Sequence, residues 1–262
     1  MIAAGVMLTV AAAIAPLPHT RSGKGPPVVL VHGLGGDRHV WDEVARELVK
    51  THTVIAVDLP GHGTAAAEQP LDADRIARQI AATVRAEKAA PAVIVGHSLG
   101  GFVAAHVPLV HAEAVRALVL VDIGIGSLWT EKESAELRAG IVARREPTLR
   151  EWFGAISKPG AQHERVVAGL SKLSNETIFG YLAVMQKQPT AGKQLTLPLL
   201  LMASPLVLPD SRPRADELAT VGFGDVAHLQ VVRFEKSMHW LFWDEPQKFL
   251  TALTRFLSTV ER

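Results

Sequence analysis

A serine with glycines two positions before and after it, Gly96-His97-Ser98-Leu99-Gly100, follows the apolar run Ala92 to Val95 and precedes a helical pattern. A serine on a tight strand-to-helix turn is held with its hydroxyl above the sheet edge, where it can act as a nucleophile. The turn brings backbone segments together, so only glycine fits at the two flanking positions. The chemistry on offer is attack of Ser98 on a carbonyl carbon. The plainer alternative is a glycine-rich helix start without catalysis, and the remaining parts of the constellation weigh against it.

Serine alone is a poor nucleophile and needs a base. The chain has eleven histidines, and position separates them. His239 follows the apolar run Leu229 to Phe234 and precedes the last helical pattern. A parallel α/β sheet collects its site at the C-terminal ends of its strands, which puts this loop beside Ser98. The competing reading of His239 is an exposed loop histidine. His32 is expected to be structural, His97 to point away from the serine, and His106 and His111 to be ordinary residues in or just after a helix. A developing alkoxide needs two backbone N–H donors. Leu99, immediately after the nucleophile, supplies one, and Leu34 in His32-Gly33-Leu34-Gly35-Gly36 supplies the other.

The elements that must position these residues alternate. Pro27 to Val31, Thr53 to Val57, Ala92 to Val95 and Ala117 to Val121 read as continuous apolar strands. Helical spacing follows at Trp41 to Lys50 and at Asp72 to Lys88. That alternation predicts an α/β fold: a mostly parallel sheet with helices on both faces. From Ile123 to about Leu195 strands give way to helical stretches at Glu131 to Arg144, Thr148 to Ile156, His163 to Ser171 and Glu176 to Lys187. Strands resume at Leu199 to Met202 and Leu229 to Phe234, and a helix closes the chain from Pro246 to about Val260. The expected organisation is a core of residues 25–122 and 196–262 carrying a helical cap of residues 123–195.

Residues 1–24 form a separate N-terminal segment. Ile2 to Pro18 is uncharged and apolar but short for a membrane span, which takes about 20 residues. It reads as the apolar region of an export signal ending near Ala13-Ile14-Ala15, or as an edge strand at Val6 to Val10. Export, to a periplasm or outside the cell, is slightly favoured over a cytoplasmic location, and no stable membrane span is expected in the mature chain.

Composition narrows the function classes. Among 262 residues, 48% are hydrophobic and 20% charged, which fits a globular enzyme with a full core. The net charge of +1 gives no one-signed field for nucleic acid or anionic membrane. Arg144-Arg145, the one adjacent basic pair, reads as a solvated helix face. There is no cysteine, which excludes disulfides, thiolate catalysis and cysteine-bound zinc. No dinucleotide fingerprint, P-loop or paired metal-spaced histidines occur, so no cofactor and no metal are expected.

Taken together, His32-Gly33-Leu34-Gly35-Gly36, Asp58-Leu59-Pro60-Gly61-His62-Gly63, Gly96-His97-Ser98-Leu99-Gly100-Gly101 and Ser237-Met238-His239-Trp240 resemble the α/β-hydrolase superfamily of serine hydrolases. The resemblance runs from about Gly25 to the end, and the insertion resembles that family's helical cap. It implies a triad in the chain order serine, acid, histidine. Members of the family commonly carry the acid just after the strand that follows the cap. Here that stretch is Ala203-Ser204-Pro205-Leu206-Val207-Leu208-Pro209, without a carboxylate until Asp210. Some relatives place the acid at the end of the preceding strand, where this chain has Asp122. Asp122 is preferred, with Asp210 as the alternative and Asp225 behind both.

The implied reaction is hydrolysis of a carboxylic ester through an acyl-enzyme. The substrate is expected to be a small-molecule ester with an apolar acyl or aromatic part, in a pocket lined from Leu34, Phe102, Leu128, Trp129, Trp152, Phe153, Trp240 and Phe242. Acyltransferase, thioesterase, amidase and carbon–carbon bond hydrolase chemistry use the same triad and stay open. A non-catalytic ligand-binding protein on the same fold is the rival from another class, and the missing late acid is its support.

Overall fold

The computed structural model describes residues 14–126, 130–210 and 214–262. Seven strands form one sheet: β1 (His19–Ser22), β2 (Pro27–Val31), β3 (Thr53–Val57), β4 (Ala92–His97), β5 (Val115–Val121), β6 (Leu199–Ala203) and β7 (Leu229–Arg233). Their order is β1-β3-β2-β4-β5-β6-β7, and every pairing is parallel except β1 with β3. Residues in β2 to β6 are buried apart from Pro27 and Arg116. Burial on both faces is why these strands read as unbroken apolar runs rather than alternating ones.

The core helices are α1 (Asp42–Leu48), α2 (Ala73–Ala86), α3 (Leu99–Ala104) and α4 (Val107–Val110). Asp72 caps α2 by accepting from Arg75 N–H at 2.8 Å, and Ile76, Ile80 and Val84 bury one face at four-residue spacing. Between β5 and β6 come three long helices, α5 (Glu131–Gly154), α6 (Ala161–Ser171) and α7 (Asn175–Lys187). The chain then adds α8 (Ala215–Thr220), α9 (Leu241–Asp244) and α10 (Pro246–Val260), whose Phe249, Leu253, Phe256 and Leu257 reach the core.

The structure departs from the sequence reading in three places. The edge strand is His19–Ser22, within the N-terminal segment; the expected strand at Val6 to Val10 lies outside the described residues, as does most of the stretch Ile2 to Pro18 read as an export signal. The two stretches separated at Pro147 form one element, bent where Arg144 leaves helical geometry (φ −149°, ψ 64°). Pro147 has no N–H for the carbonyl of Ala143, which accounts for a bend there. Arg145 is not a solvated charge: its guanidinium bonds the Leu170 and Leu173 carbonyls and the Asn175 side chain, tying α5 to the end of α6 and the start of α7.

The three inserted helices are fixed over the sheet edge by specific contacts. Tyr181 Oη donates to Pro60 O at 2.9 Å, and Ile156 O accepts from His239 N at 3.0 Å. On α6, a Cβ at Gly169 would stand 2.0 Å from Gly35 O, so only glycine lets the helix lie against that loop. No helix of the described residues is long and apolar enough to cross a membrane.

Candidate active site

Strand register sets the site. His97 pairs with Val121, and Val121 with Met202, so Ser98, Asp122 and Ala203 stand level one residue beyond. Ser98 has φ 52° and ψ −126°, a strained conformation for a residue with a Cβ. Its N–H donates to Val121 O at 2.9 Å, and its carbonyl starts α3 by accepting from Phe102 N at 3.0 Å. The glycines are steric requirements: a Cβ at Gly96 would lie 2.5 Å from Gly100 O, and one at Gly100 would lie 2.3 Å from His32 O.

His239 and Asp122 are together. His239 Nδ1 lies 2.8 Å from Asp122 Oδ2. A carboxylate accepts only, so Nδ1–H donates, and in the neutral ring the lone pair is then on Nε2, on the opposite side. Asp122 is fully buried and also has a positive φ, 50°. Its carboxylate is held by Ser204 twice: the backbone N–H reaches Oδ1 at 2.6 Å and the hydroxyl reaches Oδ2 at 3.0 Å. Sequence reasoning missed Ser204. The only signal in the sequence there is the absence of a carboxylate. Asp210 is exposed, and no contact joins it to His239.

His97 does not point away. It is buried, its Nε2–H donates to His239 O at 2.9 Å, and the two rings lie 4.7 Å apart. Burial, then the neighbouring His239, holds its pKa well below the ordinary histidine value, so it packs under His239 as a neutral ring.

Leu34 and Leu99 flank the serine. Leu99 opens α3, so its N–H belongs to the first-turn donors that lack an intrahelical acceptor. Leu34 shares the wall of a cavity with Ser98 and His239. Two histidines buttress its loop. His32 Nδ1–H donates to Gly33 O at 2.8 Å while Nε2 accepts from Leu59 N at 3.0 Å. His62 Nδ1–H donates to Pro60 O at 3.1 Å while Nε2 accepts from Gly35 N at 3.2 Å. Each ring must be neutral to do both. Burial lowers both pKa values, that of His62 to about 3 with the adjacent His32 adding to the effect.

Beneath the three inserted helices lies a cavity of about 600 Å³ with Ser98, Asp122 and His239 in its wall. Leu137, Ile141, Leu149, Trp152, Ile178 and Leu182 supply much of the rest, with Glu151 beside them, and among the described residues no Lys or Arg lines it. The expected apolar pocket is present, but its composition differs from expectation. Phe102 and Phe242 are buried in the core, Trp240 lines other cavities, and Leu128 and Trp129 lie outside the described residues. Among the described residues, no cluster of three His, Asp or Glu side chains is arranged to hold a metal ion.

Residues 28–252 match the alpha/beta hydrolase family. A pimeloyl-[acyl-carrier protein] methyl ester esterase of Chromobacterium violaceum is 31% identical over 252 residues, covering 90% of this chain and 96% of that protein. A protein of the same name from Neisseria meningitidis is 38% identical over 136 residues, which is 52% of this chain and 40% of the relative. The match thus spans less than half the length of that relative. Among solved structures, an esterase from Exiguobacterium antarcticum superposes with a TM-score of 0.79 at 21% identity, over 94% of this chain and 96% of that one. A thermophilic esterase from Thermogutta terrifontis gives 0.80 at 19%, over 94% of each chain. At these identities the structural likeness speaks for the fold.

Proposed function

This chain belongs to the alpha/beta hydrolase family, and we propose that it hydrolyses a carboxylic ester through an acyl-enzyme formed on Ser98. Ser98 Oγ attacks the ester carbonyl while His239 Nε2 takes its proton. The carbonyl oxygen becomes an alkoxide held by the N–H groups of Leu34 and Leu99. The tetrahedral adduct collapses, the C–O bond to the alcohol breaks, and the alcohol leaves with the proton from His239. Water then attacks the acyl-serine, His239 again takes the proton, and the acid departs as Ser98 recovers its hydrogen. Asp122 fixes the histidine tautomer and offsets its charge when it is protonated. Residues 123–195 serve as a cap that closes the apolar cavity over the acyl part.

The observation that carries this reading is the 2.8 Å contact of His239 Nδ1 with a buried carboxylate, beside a strained serine and an apolar cavity. A ligand-binding protein needs neither the strain nor the buried charge. By their names, the relatives act on a methyl ester, which favours ester over amide or carbon–carbon cleavage. The test is labelling with a fluorophosphonate, together with turnover of activated esters by the parent and by Ser98→Ala. Labelling at Ser98 and a loss of several orders of magnitude in Ser98→Ala, with unchanged unfolding, are expected. Activity within tenfold of the parent refutes the assignment.

A further inference from the structure

Ser98 lines one of two cavities of opposite chemistry and the small space that shares residues with both. The apolar one has been described. The other, about 530 Å³, lies across the Leu34 loop and takes Arg38 from that loop and Arg165 and Lys172 from α6 and its C-terminal cap. A small space of about 20 Å³ sits between them. It shares Ser98, Phe153 and His239 with the apolar cavity, Gly36, Val40 and Trp240 with the polar one, and Leu34 with both.

The charges of the polar cavity are not balanced from within. Asp58 is consumed by Arg38: it accepts from Arg38 N at 2.8 Å and pairs with Arg38 Nη2 at 3.1 Å, with Thr64 N as a further donor at 2.8 Å. Asp37 accepts from the uncharged His39 N–H at 2.9 Å and keeps its own charge, so the described lining, with Arg38, Arg165 and Lys172 against Asp37 and Asp58, retains one positive charge in excess with His39 neutral. Among the described residues neither Arg165 nor Lys172 has an ion pair within 4.0 Å, although Arg165 also borders a surface cavity with Glu43 and with Asp244, itself paired with Lys158 at 3.3 Å. Arg165 is nonetheless held in place. Its guanidinium lies 4.3 Å over the Trp243 ring, which stacks on Trp240 at 5.9 Å, and Trp240 in turn meets the His239 ring edge-on at 5.1 Å. A cation fixed on an aromatic face keeps its N–H edge for an oxyanion and loses little freedom on binding one. Arg165 and Lys172 are seven residues apart along one helix, so two turns, about 10 Å, separate them along its axis. Among the described residues the apolar cavity has no Lys or Arg to receive an anion, and the Asp122 and Glu151 carboxylates in its wall repel one.

We propose that the substrate is an ester with two unlike arms, one neutral and apolar beneath the cap, the other ending in a carboxylate or phosphate that passes Leu34 and Trp240 to reach Arg165 and Lys172. The proposal rests on Ser98 being the nucleophile. Either arm can be the acyl group.

The test is a selectivity ratio, kcat/KM for an anionic ester over its neutral isostere, at low salt. One series keeps the hexanoyl group and varies the alcohol: butanol, 4-hydroxybutanoate and 3-hydroxypropyl phosphate. The other puts the charge on the acyl side, comparing hexyl hydrogen adipate with hexyl hexanoate. A ratio of at least tenfold in one series is expected, carried by KM and shrinking as salt is raised. In the double variant Arg165→Gln, Lys172→Gln the ratio should fall to about one, while Arg165→Lys, Lys172→Arg should retain most of it. The carboxylate and phosphate arms distinguish the two anions. A ratio near one in both series of the parent overturns the proposal, and so does a ratio that the double Gln variant does not move. Absence of Ser98-dependent turnover on every ester, neutral ones included, instead fails the hydrolase reading and this one with it.

Discussion

Asp122→Asn isolates the acid, because the amide keeps the shape and changes only what each oxygen position offers. Asp122 receives three hydrogen bonds, from Ser204 N to Oδ1 and from Ser204 Oγ and His239 Nδ1 to Oδ2. Asparagine has one acceptor and one donor for those two positions. If its oxygen stays on the Ser204 N–H, its NH₂ faces His239 Nδ1. The ring then accepts at Nδ1 and carries its proton on Nε2, where it cannot deprotonate Ser98. If the amide flips, its oxygen serves His239, but its NH₂ meets the Ser204 N–H, a buried donor against a donor. Leaving that donor unsatisfied costs about 1–3 kcal/mol. The backbone of Ser204 therefore selects the unproductive rotamer, and the flipped minority still lacks the negative charge that stabilises the protonated ring. A triad whose acid is changed in this way loses on the order of 10⁴ in turnover. Turnover of an activated ester should fall here by roughly three to four orders of magnitude, with fluorophosphonate labelling slowed in proportion and the urea midpoint little changed. Asp210→Asn, at an exposed position, should cost less than twofold. Asp122→Asn within tenfold of the parent would refute the reasoning, and a large loss in Asp210→Asn would move the acid there.

Ser204→Ala removes one charge-assisted bond to a fully buried carboxylate, worth about 1.5–3 kcal/mol. Urea unfolding should show a loss in that range and kcat/KM a loss of about tenfold, with Ser204→Thr restoring much of both; no change in either measurement would remove Ser204 from the site. His62 gives a pH dependence whose sign is set by burial. Its pKa falls from an unfolded value of 6.5 to about 3, so between those values the unfolded chain binds more protons. The stabilisation is complete above pH 6.5 and is lost as pH falls toward 3, at up to roughly 1.4 kcal/mol per unit. Asp58 is drawn below its ordinary 3.8, against its own burial, by bonds from Thr64 and Arg38, so its loss comes at lower pH. Unfolding midpoints between pH 7.5 and 4.5 should therefore drop in the parent and drop less steeply in His62→Gln; parallel slopes would contradict the assignment.

The parallel sheet was legible because β2 to β6 are buried on both faces and carry no competing periodicity. The edge strand was not. Of its four residues, His19 to Ser22, only His19 is partly buried and the rest are exposed, since it joins the sheet through backbone bonds to β3 alone. A strand held that way needs no apolar side chains, so no hydrophobic pattern announces it. His97 was misjudged for a related reason. Adjacency to the serine fixes where its backbone goes, but its ring is placed by a carbonyl 142 residues away. Phe242 was assigned to the pocket by its nearness to His239 in sequence, yet it packs on Trp41 with ring centroids 4.5 Å apart. Local spacing does not say which side of a short helix such as α9 faces the core.

The acid shows how far a sequence can carry a site and what completes it. Asp122 was chosen because it ends the strand beside the nucleophile's and because the segment after β6 offers no carboxylate. Position alone does not make a buried aspartate tenable, since an unpaired charge removed from water is costly. What makes Asp122 tenable is the residue standing where a carboxylate was sought. Ser204 follows β6 one strand over and supplies two donors to Asp122, and the Ser204 carbonyl is held in turn by Arg233 Nη1 at 2.9 Å. A carboxylate at position 204 would sit against Asp122 and repel it; a serine satisfies it. The acid after β5 and the serine after β6 are thus one solution to the burial of a single negative charge. It follows that moving the acid takes two changes together. Asp122→Asn with Ser204→Asp should recover part of the turnover lost in Asp122→Asn, provided the new carboxylate reaches His239 Nδ1. Ser204→Asp alone should unfold more readily than the parent, because it buries two carboxylates side by side. Urea unfolding and turnover measured on the three variants report both effects, and a Ser204→Asp protein as stable as the parent would show that Asp122 does not depend on its neighbour.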